Sequence, residues 1–334
     1  MDWLSRNCDV VSMLKSDCLF RKNQLTGIVL KTIFFLFCTL VIQNVSAVTT
    51  LAVTEVSPGI YVHFGPHQLP DKINHGEIAN IGFIIGGSCV AVIDTGGNPD
   101  QGYALKNTIE QITIKPVCYV INTHVHPDHI LGNIAFKQSG VKFIGHKKLA
   151  RAMAVRGEYY IAKASDQLAV KLTARHIIPP DKPVKRHMTL DLGGRKITLT
   201  AHPTAHTDND LTVFDQNTDT LWMSDLLFIG HLPVIDGSLK GWLKELKRME
   251  KHDYKVVIPG HGPAVTDWPK SLQPEKKYLQ TLLTEIREMI VKGRFIEDAV
   301  KKVGYSEKGK WKLFDQFHKK NVTTAFAELE WEDE

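Results

Sequence analysis

The run Thr123-His124-Val125-His126-Pro127-Asp128-His129 constrains this chain more than any other feature. Three histidines and an aspartate crowd together directly after the apolar stretch Val117-Cys118-Tyr119-Val120-Ile121-Asn122, which reads as a buried strand. Side chains at 124 and 126 point the same way if the strand period continues past Asn122. Imidazole nitrogen and carboxylate oxygen are the usual non-thiolate ligands of zinc. A single histidine on an apolar strand is more often a satisfied core residue. Four ligand-type side chains packed this closely would carry a large desolvation cost as bystanders. The run therefore reads as a metal site at a strand end.

Three further positions extend it. His206 lies in Thr204-Ala-His-Thr-Asp208, a polar loop after a strand; Asp225 follows the apolar strand around Leu221-Trp222; His261 lies in the glycine-flanked loop Pro259-Gly-His-Gly262. Each is weak evidence alone, since a histidine at a strand end is often a loop residue. Their order, each at the carboxyl end of a strand, makes a strong signal together.

The surrounding pattern is α/β. Glu55–His63 reads as two strands around Pro58-Gly59, and Ile78–Ile85 pairs with Ser88–Asp94 across Gly86-Gly87 as a hairpin. Residues 100–114 have helical spacing, and His146 to about Arg175 reads as a helical insertion over the sheet. Strands are expected at 187–191, 195–201, 211–215, 219–223 and 255–258, with a helix over 241–251 and a mostly helical, basic segment over 269–320. In residues 274–304, Leu279, Leu282, Leu283, Ile286 and Ile290 form a stripe that reads as core packing, with no chemistry of its own. The expected architecture is a four-layer αββα sandwich over 48–268, with a helical extension over 269–334 packed on the same domain.

The N-terminus reads differently. Basic Arg21, Lys22 and Lys31 precede an apolar run from Thr32 to Ile42, and Val45-Ser46-Ala47 offers a small-x-small cleavage pattern. Residues 1–47 thus read as a cleaved secretory signal with Met13 as an alternative start, implying a periplasmic or secreted protein. The competing reading is an uncleaved anchor over Gly27–Val45, since a span needs about 20 residues. Of five cysteines only Cys89 and Cys118 follow this segment, which excludes a disulfide scaffold; the two are expected to be buried free thiols. The formal charge of +5 is mild, with no basic stripe interleaved with aromatics, so nucleic-acid binding has no support and a small-molecule substrate is expected.

On His124-x-His126-x-Asp128-His129, His206, Asp225 and His261, the chain resembles the metallo-β-lactamase superfamily over roughly residues 53–265. The resemblance implies two zinc ions: His124, His126 and His206 hold one, Asp128, His129 and His261 the other, and Asp225 bridges both. It implies a shared water of lowered pKa as nucleophile, with Asp128 orienting it or accepting a proton. Asp94, in Val92-Ile-Asp-Thr-Gly96, matches a structural aspartate behind the ligands. Leu131 departs from the family pattern, where a glycine is common, which puts helix packing under the site in question. The bridging Asp225, with no ligating cysteine, resembles the glyoxalase II and lactonase side, which cleaves thioesters and esters, and argues against β-lactamase activity. The strings Ala79-Asn-Ile-Gly-Phe83, Ser224–Trp242 and Ala327–Trp331 resemble the SoxH-related branch, named quinoprotein relay system zinc metallohydrolase, which implies association with PQQ-dependent dehydrogenase systems.

His231, Asp236 and Trp242 are candidates to line a substrate pocket, against simple loop packing. Tyr159, Tyr160 and Lys163 read as a solvated helix face before a cap over the site. Two rival functions stay open: a mononuclear iron enzyme of the persulfide dioxygenase type, using His124, His206 and Asp225, and a metal-bearing accessory protein without turnover. The export reading predicts that the mature chain starts near Val48, which intact-mass spectrometry of the exported protein checks; a mass retaining residues 1–47 overturns it.

Overall fold

Alternation along the strands dictates a layered fold. In Val90-Ala91-Val92-Ile93, the odd and even positions feed two different hydrophobic clusters, so this strand is covered on both faces. The computed structural model describes residues 48–332. The signal and anchor readings for 1–47 lie outside the described residues.

Seven strands form the first sheet in sequential order: β1 (Thr54–Ser57), β2 (Ile60–His63), β3 (Ile81–Ile85), β4 (Val90–Ile93), β5 (Val117–Ile121), β6 (Lys142–His146) and β7 (Lys182–Val184). The pairs from β1 to β4 are antiparallel and those from β4 to β7 parallel. The second sheet runs β12 (Val256–His261), β11 (Thr220–Phe228), β10 (Leu211–Asp215), β9 (Lys196–Ala201), β8 (His187–Asp191), antiparallel except for β11 with β12. The inner faces meet in one core that includes Ile60, Ile93, Ile121, Leu199, Val213 and Trp222.

Helices cover both outer faces. α1 (Pro99–Ile112) starts where Asn98 accepts the Gln101 N–H and Pro99 presets the first turn. Its Leu105 and Ile109 pack on Phe83, Val92 and Phe143. The short α2 (Pro127–Ile130) leads toward α3 (Leu149–Leu168), and the two share a cluster of Ile130, Leu131, Met153 and Leu168. Leu131, the departure noted in the sequence, is thus fully buried against α3, and the close approach falls to Gly132, where a Cβ would sit 2.0 Å from the Thr95 carbonyl. On the other side α4 (Leu239–Met249), α5 (Gln273–Val291), α6 (Ile296–Lys302) and α7 (Phe314–Leu329) share one cluster with β11 and β12. The αββα arrangement is the one expected. Strands β6 and β7 and the break between α5 and α6 were not anticipated.

The cysteines correct an expectation. Cys89 and Cys118 form a disulfide, their Cα atoms 5.8 Å apart, rather than two free thiols. Parallel β4 and β5 pair Val90 with Val117 and Ala91 with Tyr119, and the bulge between these pairs brings Cys118 beside Cys89. The bond closes a loop of sequence separation 29, so the chain-entropy account gives it about 3.6 kcal/mol. A double Cys89→Ala, Cys118→Ala variant is expected to unfold at correspondingly lower denaturant, and an unchanged midpoint with unchanged slope overturns this.

Candidate metal centre

All seven sequence-predicted ligands converge at one end of the sandwich. Their ligand atoms form two groups, His124, His126, His206 and Asp225, and Asp128, His129 and His261, each within 4.8 Å internally. His124 leaves the end of β5, His126 precedes α2, and Asp128 and His129 sit within it. His206 lies in the β9–β10 loop and His261 ends β12. Asp225 differs from its expected place: it lies inside β11, which continues to Phe228 beyond a register irregularity. Ser224, just before it, has φ 51°, and Asp94 has φ 55°, so backbone strain sits at two points of the site. Gly260 is required here because a Cβ would fall 1.8 Å from Asp225 Oδ1.

The outer nitrogens of the histidines are each tied down. His129 Nδ1–H donates to Asp94 Oδ2 at 2.8 Å, His206 Nδ1–H to the Val234 carbonyl at 2.7 Å, and His261 Nδ1–H to the Ile78 carbonyl at 2.9 Å. His124 Nδ1–H donates to Thr123 Oγ1 at 3.1 Å, which in turn donates to Asp94 Oδ2 at 2.7 Å. Asp94 therefore orients one histidine of each group. His126 is reversed: its Nε2–H donates to Asp236 Oδ2 at 3.0 Å, leaving Nδ1 turned inward.

These outer bonds fix the tautomers and leave acceptor nitrogens facing one another. His126 Nδ1 stands 3.1 Å from His124 Nε2 and 3.0 Å from His206 Nε2. With every proton committed outward, none of the three can donate to another. Two nitrogens on one tetrahedral zinc lie about 3.3 Å apart, given bonds of about 2.0–2.1 Å. Among the described residues, buried His129 Nε2 and Asp225 Oδ1 have no hydrogen-bond partner, and they lie 3.2 Å apart. Asp225 Oδ2 is 3.4 Å from His206 Nε2 and 3.5 Å from His261 Nε2, so one carboxylate reaches both groups. The donor set fits two cations. Burial pushes the His206 pKa down to about 3 and holds His124 well below the usual imidazole value, keeping both in the neutral, ligating form. Against burial, His129 and His261 hold Asp225 well below the carboxylate range.

A cleft of about 540 Å³ opens over the two groups. Of the pocket candidates, His231 and Asp236 line it; Trp242 does not. Trp242 is fully buried, donates its indole N–H to the Leu226 carbonyl at 3.2 Å, and packs edge-on behind His206 at 5.3 Å. Tyr159, Tyr160 and Lys163 face the cleft from α3, beyond the solvated role expected of them. Sequence reasoning missed Arg156, which binds Asp236 from the same helix, as well as Phe228, Phe317 and Lys320 on the far wall. It also missed the role of Asn80, whose buried amide donates to the Pro259 and Gly262 carbonyls and so braces the loop of His261.

Two sheets sandwiched between helices, with a histidine- and aspartate-lined centre at one end, define an α/β sandwich with a candidate metal site. The metallo-beta-lactamase superfamily matches residues 76–261, more than half of the chain, and the chain belongs to that superfamily. Among solved structures, a metallo-β-lactamase from Pontibacter korlensis superposes with TM-score 0.54 at 22% identity, covering 69% of this chain and 99% of that one. TMB-1 gives 0.54 at 16% identity, covering 69% and 97%. The stereoselective inverting sec-alkylsulfatase Pisa1 from Pseudomonas sp. gives 0.63 at 17% identity, covering 84% of this chain and 51% of that one. At these identities the likeness is one of fold.

The geometry sets clear expectations for variants. His126→Ala and His261→Ala should each lower metal content, read by elemental analysis; unchanged content in either removes that residue from the ligand set. Asp94→Asn should weaken metal binding by about 10–100-fold without removing any ligand, and wild-type affinity in a chelator competition would separate Asp94 from the centre.

Proposed function

We propose that this chain is an exported hydrolase that works with two zinc ions on an ester, thioester, lactone or amide. The observation that carries the reading is the convergence of three proton-free imidazole nitrogens beside a carboxylate within reach of a second ligand group. When bound there, divalent cations supply Lewis acidity and lower the pKa of water toward neutrality.

The chain's own residues do the rest. Asp128, whose Oδ2 stands 3.5 Å from His261 Nε2 and 3.6 Å from His129 Nε2, is partly open to the cleft, and it orients the nucleophilic water or accepts its proton. Asp236 holds His126; against burial, the bonds from His126 and Arg156 keep it ionised well below the usual carboxylate range. Phe228, Val234 and Phe317 give the cleft an apolar wall that keeps bulk water from the reacting bond.

Export places the mature chain in the periplasm or outside the cell, and the Cys89–Cys118 disulfide supports that placement, since such bonds persist in oxidising compartments. The membrane enters only through the signal segment. The strings that resemble the quinoprotein relay branch support a link to a PQQ-dependent dehydrogenase system. Elemental analysis of protein purified without added metal, followed by a panel of thioesters, lactones, aryl esters, β-lactams and, given the alkylsulfatase neighbour, sulfate esters, tests the proposal. About two zinc per chain and turnover of one substrate class are expected, with Asp225→Ser losing that turnover. Iron bound by His124, His206 and Asp225 would favour the dioxygenase, and full zinc without turnover of any class would favour the accessory protein.

A further inference from the structure

The superfamily match ends at residue 261, yet the three-histidine group is held from beyond it. The segment Val234–Asp236 orients two of those histidines. The Val234 carbonyl accepts from His206 Nδ1 at 2.7 Å, and Asp236 accepts from His126 Nε2 at 3.0 Å. The Asp236 backbone N–H also donates to the His206 carbonyl at 3.0 Å. This segment is a loop, and one side chain of α7 binds two of its backbone groups. Asn321 brackets Val234, donating to the Pro233 carbonyl at 2.6 Å and accepting from the Ile235 N–H at 2.9 Å.

The Asn321 amide is itself fixed. Its second N–H donates to Tyr278 Oη at 3.1 Å. Tyr278 O–H donates to His318 Nδ1 at 3.0 Å, and His318 Nε2–H donates to the Val303 carbonyl at 2.8 Å. Every member of this chain is buried, and every donor has an acceptor, so the amide has one orientation. A flipped amide would lose all three of its bonds.

We propose that Asn321 is a positioning residue for the three-histidine metal position. It acts through the Val234 carbonyl on His206 and through the Asp236 carboxylate on His126. The inference rests on the metal reading given above, though not on the reaction proposed there. It distinguishes the two positions, because His129 is oriented by Asp94 and His261 by the Ile78 carbonyl, neither of which touches Asn321.

The test is zinc competition against a chromophoric chelator, using the metal-free full-length mature chain well below its melting temperature. In Asn321→Ala, affinity at one of two positions should fall at least about tenfold while the other stays near wild type. Asn321→Asp keeps the volume and the acceptor for Ile235 but loses both amide donors, and it should weaken the same position; it decides the matter if the alanine variant does not fold. Selective loss at one position supports the proposal. Wild-type affinity at both positions in a folded variant overturns it, as does an equal fall at both that tracks lowered thermal stability. A wild-type chain that binds no zinc overturns this inference together with the metal reading. Full zinc loading without hydrolysis overturns only the reaction, and leaves the role of Asn321 to the isotherms.

Discussion

Everything in this molecule is arranged around a repulsion. Three imidazole nitrogens point lone pairs at one another at 3.0–3.1 Å, and a buried carboxylate stands beside them. Left to themselves, such groups would rotate apart or take up protons. They are prevented because each outer nitrogen is spent on a named acceptor: Asp236, the Val234 carbonyl, and Asp94 by way of Thr123. The strained backbone at Asp94 and Ser224, and the lack of a side chain at Gly260, are local costs of the same arrangement. A preorganised centre of this kind avoids reorganisation when a cation arrives, because the protein has already placed the donors during folding.

Much of this was legible in the sequence, for physical reasons. The 124–129 run is readable because its ligands are contiguous, and the layer order because strand alternation and glycine turns are local signals. His206 and His261 were readable as polar residues ending apolar strands. Asp225 is legible as a ligand by residue type, but the strand runs on through it, since Leu226, Leu227 and Phe228 are buried and continue the apolar pattern. The disulfide was not readable, because it depends on a bulge in the pairing of β4 with β5, and register between parallel strands leaves no mark in either strand alone. Trp242 reads as a pocket candidate only because it follows Asp225 in sequence. The spacing of Leu239, Trp242, Leu246 and Met249 was the better guide, as all four are buried on one face of α4.

The residues that escaped notice share a feature. Arg156 and Asn321 are single polar side chains on helices, 80 and 86 positions from the groups they hold. Nothing in their local sequence separates a solvated helix residue from one that braces the wall of the cleft. The C-terminal segment, which reads as mere packing, supplies Phe317 and Lys320 to the cleft, Glu328 as a cap on the start of α4, and Asn321 behind the loop.

The ligands are divided between the two sheets. The loop after β5 and α2 bring His124, His126, Asp128 and His129, while His206, Asp225 and His261 come from the second sheet and its connections. Neither half owns a complete set for either position. An ion bound there ties the halves of the sandwich together and has no equivalent partner in the unfolded chain, so its binding free energy adds directly to resistance against unfolding. Resistance to proteolysis then rises with the metal supply of the compartment in which the protein works.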